Sequence, residues 1–298
     1  MKHELAPVAI LAGGLATRLR PVTETMPKAL IPVNGEPFIN HQLRLLQKQG
    51  VRRVVLCLGY LGEMVEEVIG DGKQFDLTVS YSYDSSPVAF CAAGKCGPVV
   101  TPLPAAKNAT GLLGENGESY DALATSPPSP LVGEGGAQRR VRGIQQNLLG
   151  TAGAIKKALP LLGDTFFVLY GDSYLTCDYR AAQAAFNTSN KQALMTIFHN
   201  EGQWDTSNVE FQHGQLLAYS KRERTERMHH IDYGLGIFNS ASFDLVPANT
   251  TYDLALLYEA LLKNNQLAGF EVNERFYEVG SFTGIEEFEY YLNAAVLT

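Results

Sequence analysis

Apolar positions recur at two spacings that take turns along the chain. Pro7 to Leu11 is a short apolar run closed by Gly13-Gly14, which predicts a buried strand feeding a tight loop. From Phe38 to Gln49 the apolar residues Phe38, Ile39, Leu43 and Leu46 stand at helical spacing, and Gly50 stops the run. Val51 to Leu58 then reads as a strand, Leu61 to Ile69 as a helix, and Leu77 to Tyr83 alternates like a strand. The pattern resumes with a helix over Thr151 to Leu159, a strand over Thr165 to Tyr170, a helix over Tyr179 to Phe186 and a strand over Ala193 to His199. Strands and helices in alternation predict an α/β fold whose mostly parallel sheet is covered on both faces, with ligands beyond the carboxyl ends of the strands.

After His199 the texture changes. Short strands are predicted at Val209 to Gln212, Leu216 to Tyr219 and Gly236 to Phe238, then helices near Tyr252 to Leu262 and Ile285 to Leu292. This predicts a small mixed subdomain, an antiparallel flap completing a cleft. Between Val88 and Leu148 neither spacing persists, and nine glycines and six prolines fall within 61 residues. A structureless stretch of that length is uncommon inside a compact domain, so residues 88–148 are expected to be a poorly ordered insertion in one domain spanning 1–298.

Composition narrows the function classes. The chain has 298 residues, 45% hydrophobic and 18% charged, with a formal charge of −7. No basic excess exists to bind nucleic acid, and the run from Lys221 to Arg227 is interrupted by Glu223 and Glu226. The longest strictly apolar stretches, such as Val54 to Leu58, fall far short of the roughly 20 residues that span a bilayer, so no membrane is expected. The N-terminus lacks a secretory pattern, and four cysteines do not make a disulfide framework, so the expected compartment is the cytoplasm. A homo-oligomer is left open. His229 and His230 with Asp232 do not close a tetrahedral zinc site, because adjacent histidines project differently and no second ligand pair is suitably spaced.

The densest chemistry lies in Leu11-Ala12-Gly13-Gly14-Leu15-Ala16-Thr17-Arg18-Leu19, followed by Pro27-Lys28. Glycines after a strand let backbone N–H groups approach phosphate oxygens, while Arg18 and Lys28 add positive charge and directed donors. The order is neither that of a P-loop nor that of a dinucleotide site. With Leu149-Gly150-Thr151-Ala152-Gly153-Ala154 and with Gly171-Asp172 after a hydrophobic strand, it resembles the sugar-1-phosphate nucleotidylyltransferases. Tyr277 to Ser281 and Trp204 to Val209 look most like the heptose- or mannose-1-phosphate guanylyltransferases within that family.

The resemblance implies a Rossmann-like sheet with a small mixed sugar-binding subdomain. It also implies attack of a sugar 1-phosphate on the α-phosphorus of a nucleoside triphosphate, GTP being favoured over UTP, dTTP or CTP, with release of pyrophosphate. Arg18, Lys28 and Asp172 carry the catalytic roles; Leu11, Ala12, Gly13, Gly14, Thr17, Arg18, Gly150 and Thr151 bind nucleotide. Lys221, Asn208, Asp232 and Gly234 are expected to contact the sugar phosphate, and Asp172 with Glu278 to hold Mg²⁺ through hard oxygens. Two departures, Ala16 where the family has glycine and the insertion beside the base pocket, motivate an alternative. On that alternative the chain is a catalytically weak homologue serving as a nucleotide or nucleotide-sugar binding subunit.

Overall fold

The computed structural model describes residues 4–14, 17–84, 149–200, 202–204, 206–248 and 250–296. The expected insertion at 88–148, Leu15, Ala16 and the side chain of Thr17 lie outside the described residues. The strands are β1 (Val8–Leu11), β2 (Pro32–Val33), β3 (Glu36–Pro37), β4 (Arg53–Leu58), β5 (Thr78–Tyr83), β6 (Thr165–Tyr170) and β7 (Ser173–Leu175), followed by β8 (Ala193–His199), β9 (Val209–Gln212), β10 (Gln215–Tyr219), β11 (His230–Asn239), β12 (Leu267–Val272) and β13 (Phe276–Glu278). The helices are α1 (Phe38–Gln49), α2 (Gly62–Ile69), α3 (Gly150–Leu162), α4 (Tyr179–Ser189), α5 (Leu254–Lys263) and α6 (Phe282–Val296).

β1 is the axis of the parallel half, pairing with β4 through Val8↔Val54 and with β6 through Val8↔Phe167, while β5 adds outside β4. β1, β4 and β6 are apolar almost throughout because both faces are covered, whereas β5, at the edge, alternates. Val8 and Ile10 meet Ile39, Leu43 and Leu46 of α1 on one face; Ala9 meets Ile155 and Ala158 of α3 on the other. Period two in the strand and period 3.6 in the helices thus meet at one interface. Each buried Leu or Ile in these layers contributes roughly 1.5–3 kcal/mol. Gly50, at φ +96°, ends α1 in the left-handed region that glycine tolerates.

The region after His199 brings the mixed strand directions expected from its texture, and it does so as an extension of the main sheet. β11 enters the main sheet between β6 and β8, antiparallel to both, and β12 adds parallel to β8. β9 and β10 pair antiparallel and join the same sheet where His230 meets Val209. The physical reason is burial: Tyr233, Leu235, Ile237 and Phe238 of β11 are buried and belong to the sheet's two cores. A small two-stranded sheet, β7 with β13, stands apart from the main one. α3 also runs past the expected end at Leu159 and through Pro160, which removes a single N–H near the last turn while Leu162 stays buried. Among the described residues no helix is long and apolar enough to cross a membrane.

Candidate functional site

A cleft of about 460 Å³ opens at the carboxyl ends of the parallel strands, where a sheet of this kind holds its ligands. Leu11, Ala12, Gly13 and Gly14 line it after β1, Cys57 from β4, Asp84 after β5, and Tyr170, Gly171 and Asp172 after β6. Gly150, Thr151 and Ala154 of α3 form one wall; Arg18, Lys28, Glu278 and Gly280 close the opposite side.

Backbone does most of the building here. A Cβ on Gly13 would stand 3.0 Å from the Gly59 nitrogen, and one on Gly171 would stand 2.7 Å from the Leu11 carbonyl oxygen. The strand-end pairing continues beyond β1, with Ala12 N–H donating to Cys57 O at 2.9 Å and Gly171 N–H to Leu11 O at 3.0 Å. Gly13 is therefore a close-approach glycine.

Gly150 sits at φ +72°, and a Cβ there would meet Tyr252 O at 2.6 Å. The N–H groups of Ala152 and Gly153 donate to that same carbonyl, at 2.9 and 3.3 Å. The Thr151 hydroxyl accepts from Leu254 N–H at 2.7 Å, so it caps α5 while lining the cleft. The start of α3 is docked on residues 250–254, and these donors are already engaged.

Charge is concentrated on the other side. Lys28 Nζ donates to Asp172 Oδ2 at 2.5 Å, with the two side chains 19% and 35% exposed. Ser173 Oγ donates to Asp172 Oδ1 at 3.3 Å. Glu278 arrives through β13, whose register sets it against Ser173, and Val279 N–H donates to Asp172 O at 2.9 Å. Gly280 lies beside the ammonium, where a Cβ would stand in ordinary contact, 3.6 Å from Lys28 Nζ.

Burial raises the Asp84 carboxyl to about 6, although Lys157 and a hydrogen bond from Leu149 N–H pull it back. Asp84 was not singled out from sequence, where an Asp after a strand reads as an ordinary turn residue. Its companions on the wall are equally shielded: burial pushes the Cys57 thiol and the Tyr170 hydroxyl well up, the latter aided by Asp232, Asp253, Asp172 and Glu278.

Asn208, Asp232, Gly234 and Lys221 do not line this cleft; they form a neighbouring cluster. Asn208 Oδ1 accepts from Asp232 N–H, and Asp232 Oδ1 accepts from Gly234 N–H, each at 3.1 Å. Burial pushes the Asp232 carboxyl up and Lys221 opposes it. Gly234, at φ +99°, lies against Tyr170 and Ser173, which joins the cluster to the cleft.

Residues 8–110 match the nucleotidyl transferase family. The chain is 25% identical over 93% of its length to N-acetylmuramate alpha-1-phosphate uridylyltransferase of Neisseria meningitidis, covering 94% of that protein. It is 25% identical to UTP-glucose-1-phosphate uridylyltransferase of Synechocystis over 90% of its own length, but spans only 58% of that relative. The inositol-1-phosphate CTP transferase of T. maritima shares the fold at a TM-score of 0.66 and 16% identity, with 98% of this chain and 96% of that one covered. The chain is thus similar to proteins named as sugar-1-phosphate nucleotidyltransferases.

Asp172 and Glu278 offer two carboxylates on the cleft, and among the described residues no cluster of three metal-binding side chains exists. Two hard-oxygen donors beside a phosphate-sized space fit a divalent cation that takes its other ligands from phosphate and water.

Proposed function

We propose that the chain transfers a nucleotidyl group from a nucleoside triphosphate to a sugar 1-phosphate, releasing pyrophosphate. The observation that carries this reading is the Lys28–Asp172 pair, 2.5 Å apart, on the edge of a cleft shaped by Gly13 and Gly171. An ammonium and carboxylates on one wall provide for phosphates and for a cation together. Arg18 and Lys28 offset the charge of two anionic reactants that must meet at one phosphorus. A sugar-phosphate oxygen attacks the α-phosphorus and the bond to the pyrophosphate oxygen breaks; the attacking monoester is already ionised, so no side chain needs to take a proton. Positioning and charge neutralisation carry the catalysis. Asp172 and Glu278 would hold Mg²⁺, which when bound would supply further neutralisation of phosphate charge.

Lys28 changes partners on this reading. Without substrate it is held by Asp172; a triphosphate offers it a more highly charged neighbour across the same edge. At the far wall, Asp84 supports GTP, since guanine presents adjacent N1–H and N2–H donors to a carboxylate where uracil presents one N–H. A heptose or mannose 1-phosphate is the favoured acceptor, with Asn208, Asp232, Gly234 and Lys221 around the sugar phosphate. The cytoplasm belongs to the same reading.

The test is pyrophosphate release from purified full-length chain with Mg²⁺, four NTPs and a panel of sugar 1-phosphates. Turnover with one pair above all others is expected, highest with GTP. Absence of turnover with every pair refutes the reading.

A further inference from the structure

α1 buries one face, and in the middle of it, among Phe38, Ile39, Leu43 and Leu46, lies Gln42, only 1% exposed. Helical spacing calls for an apolar side chain there, since Gln42 stands three residues after Ile39 and four before Leu46. A buried amide is costly unless its hydrogen bonds are made. Gln42 Nε2 donates to Tyr170 O at 3.0 Å and to Ser173 O at 2.7 Å. Both protons of the amide are used, and its nitrogen must face this way because a carbonyl oxygen only accepts. Gln42 Oε1 is buried without a hydrogen-bond partner among the described residues, so the amide's hydrogen bonds are those of its donors.

The two acceptors are the last carbonyl of β6 and the first of β7, and only Gly171 and Asp172 lie between them. One side chain of α1 therefore bridges both ends of the turn that presents Asp172 to the cleft. The same turn leads to the second carboxylate, because β7 pairs with β13 in a register that sets Ser173 against Glu278. Gln42 itself does not line the cleft.

We propose that Gln42 is a positioning residue: by bridging Tyr170 O and Ser173 O, it holds Asp172 and, through the β7–β13 pair, Glu278 in the arrangement that lets them share one divalent cation. This rests on the sugar 1-phosphate reading above, in which those two carboxylates take the metal. A packing role needs only volume, which methionine supplies; a positioning role needs the two donors. Hydrogen-bonding partners behind a metal's ligands govern its affinity even though they never touch it.

The experiment titrates the full chain with Mn²⁺, which like Mg²⁺ suits carboxylate oxygens, and follows binding by water-proton relaxation, a readout that needs no turnover. Asp172→Asn marks the site and should remove the binding. Gln42→Met should weaken it by about 10- to 100-fold and raise the Mg²⁺ concentration at half-maximal turnover by a similar factor, with KM for the sugar 1-phosphate unchanged. Leu43→Ala, cut from the same buried face, should lower the thermal midpoint and leave Mn²⁺ affinity at the wild-type value. If Gln42→Met does not unfold cooperatively, Gln42→Asn, whose amide stops one methylene short of the carbonyls, carries the same comparison. Unaltered Mn²⁺ affinity in the Gln42 variant, an equal loss in Leu43→Ala, or binding indifferent to Asp172→Asn overturns the proposal. Weakened Mn²⁺ binding in the Gln42 variant alone, with no pyrophosphate release by the wild type from any substrate pair, keeps the positioning role and refutes the transfer reaction. Turnover by the wild type together with equal Mn²⁺ affinities in wild type and Gln42 variant does the reverse.

Discussion

The cleft proposed to take phosphates and the cluster proposed to take the sugar are built by different means. In the cleft backbones cross at contact distance, Gly13 on Gly59 and Gly171 on Leu11, and one ion pair joins Lys28 to Asp172. In the cluster, side chains of Asn208 and Asp232 hold the backbone of β11, which slips register between Asp232 and Gly236. Where two backbones touch, only glycine fits; where side chains recognise, many residues serve. On the proposed function the first region would take phosphates, which every substrate shares, and the second sugars, which differ.

The sharpest way to break this contrast is Asp172→Asn. Losing one charge in the cleft should lower kcat by about 10²- to 10³-fold while the thermal transition stays near that of the wild type. A variant as active as the wild type at limiting Mg²⁺ would show that the ion pair is structural.

Gly150→Ala comes next. The positive φ and the Tyr252 carbonyl at 2.6 Å together should cost about 2–4 kcal/mol, read as a lower urea midpoint. An unchanged midpoint would mean that α3 can leave residues 250–254 without loss.

Asp84→Asn sharpens the contrast by changing sign. Burial raises this carboxyl to about 6, so the folded chain binds its proton more tightly than the unfolded one. Its contribution is full below the ordinary carboxylate range and is lost as pH rises through about 6, leaving a penalty at neutral pH. The variant should therefore be more stable at pH 7.5 by on the order of 1 kcal/mol, with no gain at pH 3, and should lose the preference for GTP. A gain that is independent of pH would place the effect elsewhere.

The smallest effect belongs to His230, which faces Glu271 and His199 across neighbouring strands. Burial holds its pKa below the ordinary value of 6.5. Its share of stability is complete above about pH 6.5 and is lost as pH falls through the lower folded value. His230→Phe should flatten the acid limb of stability against pH; an identical limb would exclude His230 as its source.

Legibility in sequence follows the same division. The glycines, Arg18, Lys28 and Asp172 stand in short local patterns, and α1, β4 and β6 have unbroken periodicity. β12 was missed because its alternation is interrupted by Gly269 and Glu271. In the structure Gly269 makes room for Phe211, whose ring carbon would stand 2.9 Å from a Cβ, and Glu271 reaches His230. β7 and β13 are three residues each and acquire meaning only as a pair. Asp84 carries no local signal at all; burial by α3 and the end of β5 gives it its character.

The β7–β13 pair also fixes when the site is complete. A growing chain that has emerged through β12 holds every strand of the main sheet, yet it lacks Glu278 and the turn at Gly280 beside Lys28. In chain order, the strand that brings Glu278 to the cleft comes after every strand of the main sheet, so on the proposed function the second carboxylate is the last part of the site to be synthesised.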